Sequence, residues 1–230
     1  EEGILHLVAT DLKLFEKRKR CEEELRKIAP QIDEAINSSL EIAEEIPEFV
    51  KLATRLQHLK ISLVCQRYQL ISALCSHVIQ NMPWGHTEQK KILAFAAFFH
   101  DILLEEHVSV QGNGDEKLQF SENEKEIFLE HALKTTALLK NYPHIPLGAD
   151  LVILQHHGRL RGEGSANYAK KDFSAFSLIF IAAERFLDIF LKQEMQNEER
   201  NLTVILSQLK KELPYKQYQK IIETFESLKF

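Results

Sequence analysis

The stretch KKILAFAAFFHD, residues 90–101, decides the fold of this chain. Its centre is apolar on nearly every side of a helix, so the helix that it forms must be buried. The same helix ends on His100 and Asp101, where an ionised carboxylate is costly unless it is paired or binds a metal. The stretch therefore predicts a helical core that carries a polar site at one helix end.

The rest of the chain is also helical in pattern. Only 8 glycines and 6 prolines occur in 230 residues, and apolar residues recur at helical spacing almost throughout. We predict an all-α fold, with SVQGNGDEKLQF (109–120) as a loop and Trp84 in the core together with the phenylalanines of 95–99. The predicted helices span 48–82, 87–101, 121–140, 148–157 and 173–196, followed by a terminal pair.

Residues 1–47 form a charged, amphipathic N-terminal segment that Pro30 is expected to divide into two helices. Three arrangements fit this pattern: a connector to an upstream domain, a homodimer seam, or a helical hairpin docked on the main body. Residues 48–230 are predicted to form the main domain, which contains the polar site.

Composition excludes several classes of partner. The net charge is −5 with no basic stripe, so no nucleic-acid polymer is expected to bind. No apolar run approaches the length of a membrane span, so no membrane association is expected. Cys21, Cys65 and Cys75 contain no CxxC pair. Cys65 and Cys75 stand roughly 15 Å apart along a helix, too far for a disulfide. These features favour a cytoplasmic protein.

Further imidazoles and one carboxylate accompany His100 and Asp101. The pattern predicts His131 on the outward half of a helix, a pair of histidines at the end of the next helix, and a carboxylate inside the apolar run LIFIAAERFL (178–187). Mixed imidazole and carboxylate ligands suit iron, manganese, nickel or zinc. The candidate metal ligands are His100, Asp101, His131, His156, His157 and Glu184. We expect burial to raise the pKa of both carboxyl groups.

These motifs resemble the HD superfamily of metal-dependent phosphohydrolases, and within it the HD-GYP subgroup of bacterial phosphodiesterases that act on cyclic di-GMP. His100-Asp101-Ile102 matches the start of the family's HDIGK motif. The longer HHERxDGxGYP motif is matched at its own spacing by His156, His157, Arg159, Gly162 and Gly164. The resemblance covers about residues 60–190 and implies an HD-domain helical bundle, here with additional N-terminal helices.

The resemblance also implies a site with two divalent transition-metal ions, iron first, with manganese, nickel and zinc as alternatives. Asp101 would bridge the two ions and take part in activating water. His100 and Glu184 would hold one ion, with Asp188 as a substitute for Glu184. The other ion would lie on His131, His156 and His157. Arg159 and Arg161 would contact the substrate, and the glycines would let the loop turn tightly beside the site.

The chain departs from the family pattern at several positions. Leu103-Leu104 stands where the family has Gly-Lys, Gly158 replaces a Glu, Arg161 replaces an Asp, and Ser165-Ala166 replaces Tyr-Pro. The family also has a histidine ligand on the preceding helix; the matching position is Tyr68, beside Arg67, and neither is expected to bind metal. A hairpin of helices 48–82 and 87–101 places the neighbour of His100 near residue 69, so His77 falls roughly 12 Å short.

Three functions remain open at this level. The first is a weak phosphodiesterase acting on cyclic di-GMP or a related phosphodiester. The second is a non-catalytic, metal-containing signalling module that binds a cyclic dinucleotide or a protein partner. The third is an HD phosphohydrolase of nucleotides. The missing lysine at Leu104 predicts slow turnover of cyclic di-GMP.

Overall fold

The fold is an all-α bundle, as the sequence predicts. The computed structural model describes residues 23, 26–45, 47–59, 61–104, 121–140, 142–162, 166–196 and 200–230. Nine helices and no strands lie in these residues. They are α1 (26–45), α2 (Phe49–His58), α3 (Leu63–Gln80), α4 (Thr87–Phe99), α5 (Glu122–Leu139), α6 (Ala149–Gln155), α7 (Ala175–Met195), α8 (Leu202–Glu212) and α9 (Lys216–Phe225).

The antiparallel hairpin of α3 and α4 forms the centre of the bundle, and α7 packs against it. Phe95 and Phe99 of α4 are buried, as predicted from the apolar stretch. Their rings contact the buried ring of Tyr142, with centroids 5.3 Å apart in both pairs. The prediction for Trp84 is wrong: it lies in the turn between α3 and α4 and remains 40% exposed. Burial of α4 fixes where its last residues, His100 and Asp101, meet the other helices.

The predicted single helix over 48–82 is two helices. The backbone N–H of Leu59 donates to the carbonyls of Arg55 and Leu56, which ends α2. The side chain of Ser62 then accepts a hydrogen bond from the N–H of Cys65 at 3.2 Å and caps α3. A serine before an apolar helical run is a standard N-cap signal. This break lets α3 begin at its own angle and run alongside α4.

Pro30 does not interrupt the N-terminal helix, contrary to the prediction. Helix α1 is continuous over 26–45. Ala29 and Ile32, on either side of the proline, are buried, and so are Ile36 and Leu40 further along. A proline removes one helical hydrogen bond, and burial of this apolar face outweighs that loss.

The described part of the N-terminal segment docks on the main body. Ser39 donates to the side chain of Gln69 at 2.8 Å, and Lys90 pairs with Glu44 at 2.8 Å. The possible connector or dimer seam stays a prediction for residues 1–22, which lie outside the described residues, as does the predicted loop 109–120.

The remaining boundaries follow the predicted ones closely. Ser121 and Glu124 form a capping box at the start of α5, and α8 and α9 are the predicted terminal pair. None of the described helices is both long and apolar enough to cross a membrane.

Gly85 is required by the turn between α3 and α4. Its N–H donates to the carbonyl of Met82 at 3.0 Å, and an added Cβ would overlap the carbonyl oxygen of Ile79. We therefore expect Gly85→Ala to lower the free energy of unfolding by about 1–3 kcal/mol, since the turn must open to admit the methyl group. Chemical denaturation measures this, with Leu147→Ala as the control because Leu147 is 94% exposed. Equal stability of the two variants would contradict the tight turn.

Candidate metal centre

Three imidazoles and one carboxylate oxygen converge on a single point. The Nε2 of His131 lies 3.2 Å from the Nε2 of His156 and 3.2 Å from that of His157. The Oδ1 of Asp101 lies 3.2 Å from the Nε2 of His131 and 3.7 Å from that of His156. Ligands of a tetrahedral ion at about 2.1 Å stand roughly 3.4 Å apart, so this spacing fits one metal ion. We call these four residues the histidine site.

The helix backbone sets the orientation of these rings. The Nδ1 of His131 lies 2.7 Å from the carbonyl of Phe128, and the Nδ1 of His156 lies 2.6 Å from that of Ile153. A carbonyl accepts only, so each Nδ1 carries the hydrogen and each Nε2 of the neutral ring keeps a lone pair for a ligand. Lone pairs that face one another repel unless a proton or a cation lies between them. The donor set therefore fits a metal ion.

A second group lies on the other side of the same carboxylate. The Nε2 of His100 lies 3.4 Å from Oδ2 of Asp101 and 3.8 Å from Oε1 of Glu184. The Nδ1 of His100 lies 2.8 Å from the carbonyl of Ala97, so this ring has the same orientation as the others. We call His100, Glu184 and the Oδ2 side of Asp101 the carboxylate site. Asp101 thus presents one oxygen to each site.

Two helix ends and two helix interiors bring these residues together. His100 and His156 directly follow α4 and α6, His131 lies within α5, and Glu184 within α7. The prediction of an outward-facing His131 is wrong, because this residue is fully buried. Packing of α6 on α5 covers the face of α5 that carries it. The six predicted metal ligands lie in these two groups, and together they can hold a metal ion.

Arg67 is the residue of this region whose role the sequence did not reveal. Its guanidinium is 2% exposed and reaches the carboxylate site from α3. One Nη2 lies 2.7 Å from Oδ1 of Asp188 and 3.4 Å from Oε1 of Glu184. Asp188, the proposed substitute ligand, is therefore paired with Arg67, and it is paired also with Arg185 at 3.4 Å. The signal available in the sequence was an arginine one residue from Tyr68, the expected ligand position.

Burial and the neighbouring charges shift the pKa values of the site's residues in opposite directions. Burial raises the pKa of Glu184 to about 7, as predicted. The same prediction is wrong for Asp101: burial alone would raise its pKa, but the imidazoles of His100, His131 and His156 hold it well below its usual range. Burial lowers the pKa of His100 to about 4. Asp101 is thus ionised and His100 neutral near pH 7, which are the forms that bind metal.

The loop after the histidine pair turns as the glycines predict. Gly158 and Gly162 have φ values of 69° and 72°, in the left-handed region. A Cβ at Gly158 would also meet the ring of Tyr168, 2.5 Å away, so this position has no room for the family's glutamate. Gly164 and Ser165 lie outside the described residues.

The two predicted substrate-binding arginines differ in their surroundings. Arg159 donates from Nη1 to the carbonyl of Leu129 at 3.1 Å, which ties the loop to α5. Arg161 is exposed. Leu104, in the position of the missing lysine, is held near the site by the hydrogen bond from its N–H to the carbonyl of Asp101, at 2.8 Å.

His77 and Tyr68, which were considered for the missing histidine ligand, make other contacts. The Nε2 of His77 lies 2.9 Å from the carbonyl of Thr224, at the turn end of the hairpin. Tyr68 packs its ring against Phe98, with centroids 5.1 Å apart. This contact sets residues 67–69 beside the end of α4, in the register that the sequence predicts.

No protein-family model, no curated protein and no solved structure matches this chain. The resemblance to the HD-GYP subgroup therefore rests on the motif residues alone.

Loss of one imidazole from the histidine site should weaken metal binding. We expect His131→Ala to bind metal at least tenfold more weakly, because only three of the four donors remain and no other side chain replaces the lost one. His77→Ala is the matched control, since it removes an imidazole from α3 that does not face the site. Elemental analysis and titration calorimetry of both variants measure the affinity. Equal loss of metal in the two variants would contradict the assignment.

The metal-free protein should show the raised pKa of Glu184 in its stability. Folded Glu184 keeps its proton to about pH 7, whereas the unfolded chain releases it near 4.5. Between these values the folded state binds more protons, so the contribution of Glu184 to the free energy of unfolding falls as pH rises. Relative to wild type, Glu184→Gln should gain about 1–3 kcal/mol from pH 4.5 to 7 and nothing further above. If denaturation shows a constant difference in the free energy of unfolding across this range, the raised pKa of Glu184 is contradicted.

Proposed function

We propose that this protein is a metal-dependent phosphohydrolase that cleaves a phosphodiester of the cyclic di-GMP type. The observation that carries the proposal is the placement of Asp101, with Oδ1 beside His131 and His156 and Oδ2 beside His100. A carboxylate placed between two sets of neutral imidazole and carboxylate donors is typical of hydrolytic metal sites. The motif resemblance supplies the substrate class.

The chain's own residues position the groups that react. A divalent ion held on the histidine site would polarise a phosphoryl oxygen and lower the pKa of water. The carbonyls of Phe128 and Ile153 hold two imidazoles in place, so the donor geometry is preorganised. Asp101 is ionised and accepts hydrogen bonds from any water beside Oδ1. Iron is the first choice of metal for this donor set, with manganese, nickel and zinc as alternatives.

Positive charge for the phosphate comes from one exposed side chain. Arg161 is exposed and follows the histidine pair closely in the sequence, so it is our candidate for contacting a phosphoryl oxygen. Arg159 spends one donor on the carbonyl of Leu129 and orients the loop. Leu104 contributes neither charge nor donor. Turnover of cyclic di-GMP is therefore expected to be slow.

Activity tests this proposal most directly. Protein reconstituted with Fe²⁺ or Mn²⁺ should hydrolyse bis(p-nitrophenyl) phosphate and, slowly, cyclic di-GMP, and Asp101→Asn should abolish both activities. We expect Leu104→Lys to raise the rate on cyclic di-GMP by up to about 10²–10³-fold. Leu103→Lys is the matched control, because it adds the same charge at the neighbouring exposed position. Product formation is followed by chromatography.

The alternative outcomes separate the other two functions. Tight binding of cyclic di-GMP without hydrolysis of any ester, in metal-loaded protein, would refute the proposal in favour of a non-catalytic module. Hydrolysis confined to nucleotide monoesters would refute the diester substrate and favour a nucleotide phosphohydrolase. The buried Arg67–Glu184 contact gives the non-catalytic module its support, because it occupies a potential metal ligand.

A further inference from the structure

The Arg67 guanidinium lies where a second metal ion would need free ligands. Its Nη2 is 3.4 Å from Oε1 of Glu184, and this same oxygen is the one that lies 3.8 Å from the Nε2 of His100. Asp188 anchors the guanidinium from the other side at 2.7 Å. The carboxylate site therefore already contains a fixed cation.

The guanidinium of Arg67 cannot lose its positive charge when a metal ion binds nearby. An arginine stays protonated in proteins and has no lone pair for a metal, unlike the histidine that the family pattern has in this region. An ion coordinated by Oε1 of Glu184 at about 2.1 Å would lie within roughly 5.5 Å of Nη2. Two cations this close in a buried site repel strongly. The carboxylate site is thus unfavourable for a second ion.

The charges of the buried cluster balance with a single divalent ion. Three carboxylates, those of Asp101, Glu184 and Asp188, lie around one guanidinium, that of Arg67. Their formal sum is −2, which one divalent ion brings to zero and two ions bring to +2. Arg185 does not alter this balance, since Glu212 pairs with it at 2.9 Å. Buried charges are stable when they are paired, so one ion is the favoured state.

We infer that the protein binds one divalent ion, on the histidine site, and that Arg67 takes the electrostatic place of a second ion. The inference rests on the proposed metal-dependent function and replaces the two-ion expectation drawn from the resemblance. Its consequence is a single-metal protein. In it, His100 and Glu184 lie beside Oδ2 of Asp101 but do not bind metal.

Metal stoichiometry tests the inference without reference to activity. Wild-type protein saturated with Mn²⁺ and desalted should contain one manganese per chain by elemental analysis, with the electron paramagnetic resonance spectrum of an isolated ion. His131→Ala should lose the ion, whereas His100→Ala should keep it. Two ions per chain, or loss of the ion in His100→Ala alone, would overturn the inference and leave the proposed function standing. No metal in the wild type would overturn both.

Replacement of the arginine gives the converse test. We expect Arg67→His, which removes the fixed cation and supplies an imidazole, to bind a second Mn²⁺ and to show the coupled spectrum of an ion pair. Arg67→Lys keeps the charge and should retain one ion. Arg185→Gln is the matched control, because it removes a neighbouring charge that pairs with Asp188 and Glu212.

Two results of this converse test would overturn the inference. One is a folded Arg67→His variant, checked by circular dichroism, that still binds one ion. The other is an Arg185→Gln variant that gains a second ion as readily. If Arg67→His does not fold, the comparison of His100→Ala with His131→Ala decides the question, because both variants keep Arg67.

Discussion

The buried carboxylate of Asp101 is the charge around which the rest of the core is arranged. It follows the buried helix α4 and is itself buried, so water cannot stabilise it, and its partners must come from other helices. His131 and His156 approach one oxygen, and His100 approaches the other. Helices α4 to α7 therefore pack so that neutral imidazoles surround one ionised carboxylate.

Local backbone contacts make this convergence specific. Each of three imidazoles is held at Nδ1 by the carbonyl three residues earlier, in or at the end of its own helix. Such a contact leaves the ring little rotational freedom, and it fixes which nitrogen faces the centre. The rings are thus oriented by their helices, and only the packing of those helices brings them together.

The cost of this arrangement falls on the metal-free protein. Glu184 is buried beside Asp101 and Asp188, and burial, with a smaller contribution from these two carboxylates, raises its pKa. Arg67 places positive charge beside these carboxylates, and a divalent ion bound at the histidine site would add more. Polar groups at this density are costly in a core and are typical of functional sites, where stability is lost in exchange for chemistry.

The sequence by itself determined the helical class, most helix positions, the burial of α4 and the six candidate ligands, because periodicity and motif spacing are local properties. It also placed residues 67–69 opposite His100, because the length of a hairpin fixes its register. Only the tertiary structure decided that His131 is buried and that Arg67 points at Glu184. It also decided that the pKa of Asp101 falls although the group is buried. These properties depend on distances between helices that are far apart in the chain, and a local pattern contains no information about such distances.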